Sequence, residues 1–286
     1  MDLAKKYADL VYDVGMHQGE DTDYYLKKGF RVIGFEANPK LVAKSRSRFA
    51  EAIRDKKLII VEGAITDKPA GTNKSTVSFY ENAKLSEWGT VVSDWARRNE
   101  ALGASSQVIE VPIVDFARSL REFGIPHYLK IDIEGMDTVC LAALAQFEQK
   151  PDYVSLESNK ASIAELAEEL NLLTQLGYTK FKAVQQVHVP RQREPNPSKE
   201  GCVVGRRFEV GTTGLFGADL PREWKDYEDT LREYKFIFFG YKLFGDYGIL
   251  RKYFLGEALR RVLCHVLRTP SFPGWYDTHA KHVSVV

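Results

Sequence analysis

The chain has 286 residues, with 40 Lys and Arg against 39 Asp and Glu and a net charge of +1. Near-neutrality leaves no bulk field to draw it to nucleic acid, and no apolar run is long enough to span a bilayer. Cys140, Cys202 and Cys264 are too few and too scattered for a disulfide framework or a zinc cluster. The length can bury a full core, as one large domain or a domain with an appendage. MDLAKKYADL lacks the apolar core of a signal peptide, so a cytoplasmic location is expected.

Leu10 to Val14 is a short apolar run suited to a buried parallel strand. Gly15 and Gly19 bracket a tight turn where a ligand can approach the backbone. Asp21 to Lys28 suits a helix whose free N–H groups face that turn. Arg31 to Phe35 reads as a second strand that delivers Glu36 at its carboxyl end. A carboxylate there can accept from both hydroxyls of a ribose.

Pro39 to Arg54 reads as a helix, and Leu58 to Val61 as a third strand ending near Ala64 and Ile65. The tip of a third strand in such a sheet commonly meets an adenine ring, so the backbone around Ala64 and Ile65 is a candidate contact. Thr76 to Tyr80 alternates like an edge strand. Lys84 to Ala101 is polar, carries Trp88 and Trp95, and is a candidate cover for the site. Val108 to Val114 is another strand, with Asp115 opening a helix to Phe123.

Tyr128 to Ile133 is a second core strand, running into Lys130-Ile131-Asp132-Ile133-Glu134-Gly135. A helix from Met136 to about Phe147 follows, then a strand from Tyr153 to Leu156 ending in Glu157-Ser158-Asn159. A helix from Ser162 stops at Gly177, and Tyr178 to Val189 reads as a strand. Pro190 to Gly205 is rich in Pro, Arg, Lys and Gly and reads as a mobile loop. The alternation predicts an α/β fold with a doubly wound, mostly parallel sheet over residues 1–211. Residues 212–286 read as a helical, aromatic extension, a lid or dimer element, with helical spacing at Leu255, Leu259, Val262 and Val266. The appendage packs on the sheet or on a second subunit; an interface for a lipid-linked substrate is the alternative.

The turn Gly15-Met16-His17-Gln18-Gly19 departs from the G-x-G-x-x-G of a dinucleotide fold. Asp13 precedes it, and Glu20, Asp21 and Asp23 open the following helix. Such carboxylates repel a pyrophosphate but suit a cationic sulfonium. S-adenosylmethionine is therefore favoured over a nicotinamide cofactor. An NAD-linked oxidoreductase and a catalytically silent binding module remain the alternatives.

DVGMHQG at 13–19, GFEANP at 34–39 and YLKIDIEGMD at 128–137 resemble the FkbM-type methyltransferase family, the third motif most specifically. TTGLFGADLP at 212–221 resembles a loop of the same group. The resemblance implies a class I, Rossmann-like, S-adenosylmethionine-dependent fold with a seven-stranded sheet. It also implies O-methylation, typically of a sugar, glycan or natural-product hydroxyl.

A sugar hydroxyl is very weakly acidic, so a base or a metal should take its proton. Parallel strands end at one sheet edge, which groups Asp13, Glu36, Asp132 and Glu157. Asp13, Gly15, His17, Gly19, Glu36, Ala64, Ile65 and Asp132 are the expected cofactor contacts. Asp132, Glu134 and His279 are the candidate catalytic groups, His279 as a base oriented by Asp277. Asp132 has two other readings: a magnesium or manganese ligand with Glu157 and Asn159, or a structural partner of Lys130. Lys130 itself needs a partner if buried, and Asp115 and Glu157 are candidates. The acceptor's identity and the oligomeric state, a homo-oligomer included, stay open.

Overall fold

The computed structural model describes residues 2–67, 75–82, 89–93, 106–133, 135–158, 162–221, 223–245, 248–251 and 253–285. The main strands form one seven-stranded sheet in the order β3 (Leu58–Glu62), β2 (Arg31–Glu36), β1 (Lys6–Val14), β7 (Ile125–Ile131), β8 (Tyr153–Glu157), β10 (Tyr276–His282), β9 (Tyr178–Gln185), and β4 (Ala64–Ile65), β6 (Ser106–Val114) and β5 (Thr76–Asn82) form a separate three-stranded sheet. The larger sheet is mostly parallel, with β10 antiparallel to β9. This is the doubly wound α/β architecture expected. The chain divides into two compact units, Met1–Val154 and Ser155–Val286, with β8 (Tyr153–Glu157) straddling the boundary.

In the first unit, β1 (Lys6–Val14) lies between β2 (Arg31–Glu36) and β7 (Ile125–Ile131), parallel to both. Leu10, Val11, Tyr12 and Val14 are all fully buried, which is why this half of the strand is a continuous apolar run. β1 starts earlier than the apolar run does. Its first residues are partly exposed and pair with β7 across a register shift between Tyr7 and Val11, so they carry no apolar signal. Tyr12, Phe35 and Phe116 form an aromatic cluster with centroids 5.4 to 6.1 Å apart.

β3 (Leu58–Glu62) pairs with β2 on its other side. α1 (Glu20–Lys27) follows the glycine turn, and α2 (Pro39–Arg48) follows β2. The helix expected over 39–54 breaks at Phe49 into α2 and α3 (Ala50–Arg54). In the small sheet, β4 (Ala64–Ile65) runs parallel to β6 (Ser106–Val114), and β5 (Thr76–Asn82) runs antiparallel to it. α4 (Phe116–Phe123) is capped by Asp115, which accepts from Arg118 N at 3.0 Å. α5 (Asp137–Leu144) completes the unit.

In the second unit, α6 (Ile163–Gln175) buries Leu166, Leu170 and Leu173 and is followed by β9 (Tyr178–Gln185). The strand expected as far as Val189 ends at Gln185 and turns into a 3-10 segment, Gln186–Arg191. The stretch read as a mobile loop is held by its own polar groups. Glu194 accepts from Val204 N and Gly205 N, Gln192 from Leu215 N, Glu200 from Ala218 N, and Asp219 from Ser198 and Lys199. A composition rich in Pro and Gly could not show that its carboxylates fold back onto backbone N–H groups.

Residues 212–286, read as a helical extension, hold the helices α7 (Tyr227–Phe244) and α8 (Phe254–Val266) within the second unit. The chain then returns as β10 (Tyr276–His282), paired antiparallel with β9 with a register shift between Lys281 and His282, a strand that its polar, aromatic sequence did not announce. Ser158, Tyr234 and Thr278 join in a buried ring of hydroxyls with O–O distances of 2.6 to 2.8 Å.

Candidate active site

The turn after β1 is shaped by close approach of the backbone. Gly15 has φ +79°, and a Cβ there would lie 1.9 Å from the carbonyl oxygen of Asp132. Gly15 N and Met16 N both donate to Phe35 O at 3.0 Å, so the turn is tied to the end of β2. Gly19, also at φ +79°, is the N-cap of α1, and a side chain there would strike the Phe49 ring. The Met16 side chain is buried against Gly34 and packs in the core beneath the turn. His17 adopts φ +52°, an uncommon conformation for a non-glycine residue. That geometry aims its N–H at Glu36 Oε2, at 2.9 Å, while its ring lies 3.4 Å from Glu20.

Glu36, at the end of β2, is therefore fixed from both sides. Oε2 accepts from His17 N, and Oε1 accepts from Asn38 N at 2.8 Å. Each oxygen retains an acceptor site beyond these bonds. Burial pushes its carboxyl up to about 7, although the N–H groups of Asn38 and His17 pull the other way. Asn38 also caps α2, and its side chain donates to Glu81 Oε1 at 3.0 Å. Lys40 Nζ lies 2.8 Å from Glu81 Oε2. Neither Asn38 nor Glu81 was among the expected site residues; Asn38 stands just before Pro39, a position that signals a helix cap, whereas Glu81 arrives from β5, more than forty positions later.

The second polar cluster centres on Lys130 of β7. Its Nζ lies 3.1 Å from Asp13, 3.2 Å from Gly15 O, 3.7 Å from Asp132 and 3.8 Å from Asp21. The partner of Lys130 is thus Asp13, not Asp115 or Glu157, because β1 and β7 are adjacent and Asp13 is in register with Lys130. Asp13 is fully buried, and its second oxygen accepts from Thr22 Oγ1 at 2.6 Å. Burial works against the Lys130 charge, but Asp13, Asp132 and Asp21 hold it well above the usual lysine range. One ammonium faces three carboxylates, a formal surplus of two negative charges at the strand tips. Of the three, Asp132 is the one open to solvent, its side chain 49% exposed. Asp137, in the first turn of the helix that follows, accepts through Oδ1 from Ile133 N at 3.3 Å.

Ala64 and Ile65 are buried in β4, paired with β6, and Ala64 packs with Phe79, Val111 and Ala37. The site therefore has an apolar patch directly after Glu36. Glu134 and Asn159 lie outside the described residues, as does most of the segment from Lys84 to Ala101. Among the described residues no group of three or more His, Cys, Asp and Glu side chains is placed to hold a metal ion. Asp132 is engaged with Lys130 instead, so the magnesium or manganese reading finds no support.

Glu157 and His279 belong to the second unit. His279 sits in β10 opposite Lys182, buried, with neither ring nitrogen hydrogen-bonded to any described residue. Burial, and to a lesser degree the Lys182 charge, pushes its pKa down to about 3. The expected pairing with Asp277 is not formed, and His279 is a neutral, enclosed ring rather than an oriented base. Sequence spacing could not reveal this, because burial on β10 depends on the sheet around it.

A family profile described as Methyltransferase FkbM domain matches residues 13–180. No curated protein matches the chain. Among solved structures, precorrin-6y C5,15-methyltransferase from Geobacter metallireducens is 12% identical, covering 63% of this chain and 68% of that one, with a TM-score of 0.35. Precorrin 8w decarboxylase from Methanobacterium thermoautotrophicum is 12% identical over 71% of this chain and 79% of its own, with a TM-score of 0.35. Glycopeptide N-methyltransferase MtfA with S-adenosylmethionine is 13% identical over 66% of this chain and 56% of its own, with a TM-score of 0.30. These structural likenesses are too remote to bear on function. The family match stands on its own, because it spans more than half of the chain and takes in both the glycine turn and the Lys130 strand: the chain belongs to the FkbM-domain methyltransferase family.

Proposed function

We propose that this chain is an S-adenosylmethionine-dependent O-methyltransferase acting on a hydroxyl of a sugar, a glycan or a glycosylated natural product. The observation that carries the reading is the Glu36 carboxylate, held at the tip of β2 by two backbone N–H groups beside a glycine turn that admits no side chain. Its remaining acceptor sites suit the two hydroxyls of a ribose. The apolar patch at Ala37 and Ala64 suits a flat purine. The surplus negative charge around Lys130 suits a cation and opposes a pyrophosphate, which argues against a nicotinamide dinucleotide. S-adenosylmethionine, when bound, supplies an electrophilic methyl group on a positively charged sulfur.

The residues of the chain do the rest. Glu36 anchors the nucleoside. Asp13 has both oxygens engaged by Thr22 and Lys130 and acts by fixing the turn. Asp132, half exposed beside that turn, receives the proton of the acceptor hydroxyl as the oxygen takes the methyl group. Holding the acceptor oxygen in line supplies much of the acceleration.

Calorimetry with S-adenosylmethionine and with NAD tests the donor: binding of NAD alone would overturn the reading. Mass spectrometry of glycans from cells with and without the protein tests the acceptor. A methyl-sized mass difference on a sugar is expected, and a methyl group found only on nitrogen would overturn O-methylation.

A further inference from the structure

Most of α8 is open to solvent. Only Gly256 of its thirteen residues is buried. Leu255, Leu259, Val262 and Val266 are 80, 45, 57 and 67% exposed. Their spacing of four, three and four residues puts them in one row along the helix. The sequence pattern that read as a packing face is thus an apolar face left exposed among the described residues. Ile249 and Tyr253, leading into the helix, and Phe254, its first residue, are exposed as well, and the neighbouring α7 exposes Phe236 and Phe239. Exposed apolar surface of this extent marks an interaction site.

The charges around the row narrow the partner. Residues 249–268 carry five basic side chains (Arg251, Lys252, Arg260, Arg261 and Arg268) against one acidic, Glu257. That is a surplus of four positive charges in a chain whose total is +1. Arg260 and Arg261 both pair with Glu257, the one acidic group already counted, so the surplus of four stands. Two copies of this face brought together would set like charges against each other. An anionic lipid surface meets both features, taking the apolar row into its acyl boundary and the basic rim at its headgroups. No described helix is long and apolar enough to cross a membrane, so the contact would lie in the plane of the surface.

We propose that α8 is an in-plane docking helix for an anionic membrane surface, with Leu255, Leu259, Val262 and Val266 facing the lipid. The inference rests on the second unit alone and does not depend on methyl transfer. The test is co-sedimentation of the full chain with phosphatidylglycerol vesicles and with phosphatidylcholine vesicles. Retention on the anionic vesicles is expected, with binding to the zwitterionic vesicles weaker on the order of tenfold. Leu255→Asp with Val262→Asp should abolish retention, and Arg251→Gln with Arg268→Gln should weaken it on the order of tenfold. These side chains are exposed, so the variants should keep the wild-type circular dichroism spectrum. Failure of the wild-type chain to bind anionic vesicles overturns the proposal, as does undiminished binding by the aspartate variant. If sedimentation velocity shows a dimer that the aspartate variant dissolves while vesicles are ignored, the face belongs to a second copy and the proposal fails.

Discussion

Glu36 has its acidity set by two opposed causes. Removal from water raises its pKa, the N–H groups of Asn38 and His17 lower it, and removal from water wins, leaving it at about 7. Its affinity for a cationic, ribose-bearing ligand should therefore rise as pH increases through about 7. Calorimetry at pH 6 and pH 8 should show this in the wild-type chain and not in Glu36→Gln. That variant should also bind S-adenosylmethionine about 1–3 kcal/mol more weakly at pH 8. For Asp132→Asn, turnover should fall on the order of a hundredfold while donor binding persists, as expected of a proton acceptor. Retained turnover would leave Asp132 as a partner of Lys130 and no more. Lys130→Met removes the counter-charge of a fully buried Asp13 and should cost about 3–5 kcal/mol in urea unfolding.

Elements were legible where local chemistry decides them. Ser162 precedes α6 and accepts from Glu165 N at 3.3 Å, the pattern that Ser-x-x-Glu announces. Ser162→Ala should lower stability by about 1 kcal/mol, measurable by thermal unfolding. The central strands were legible for a related reason: strands buried on both faces leave little room for polar residues. β10 was not legible. Its polar sequence YDTHAKH lies in a sheet only because β9 offers it a partner edge, which residues near in sequence cannot show. The helix α8 was legible as a helix, but its spacing says nothing about whether the apolar row is covered.

At the scale of the whole molecule, two buried groups should shape stability against pH in opposite senses. His279 has a folded pKa of about 3, depressed below its unfolded value of 6.5, so stability present above pH 6.5 is lost as pH falls. Glu36 has a folded pKa of about 7, raised above its unfolded value of 4.5, so stability present below pH 4.5 is lost as pH rises towards 7. Between pH 5 and 6.5 the two slopes oppose each other, each on the order of 1.4 kcal/mol per pH unit. Thermal unfolding should therefore show a wild-type chain nearly insensitive to pH in that interval. His279→Leu should become more stable as pH falls, and Glu36→Gln less stable. A variant that tracks the wild-type chain at every pH would show that the group it replaces does not titrate on unfolding.

The alternation of strands and helices up to β9, the glycine turn and the acidic ends of β1, β2 and β7 were written in the sequence. Each depends on neighbours within a few positions: an apolar run, a glycine that must be a glycine, a carboxylate at a strand end. What only the tertiary structure decided was which of those groups meet. Asp13 found Lys130 across 117 positions, Glu81 reached Asn38 from another sheet, and the His279 ring was buried with no hydrogen-bond partner among the described residues. Register between strands and burial by distant segments assign those contacts, and neither leaves a trace in local spacing.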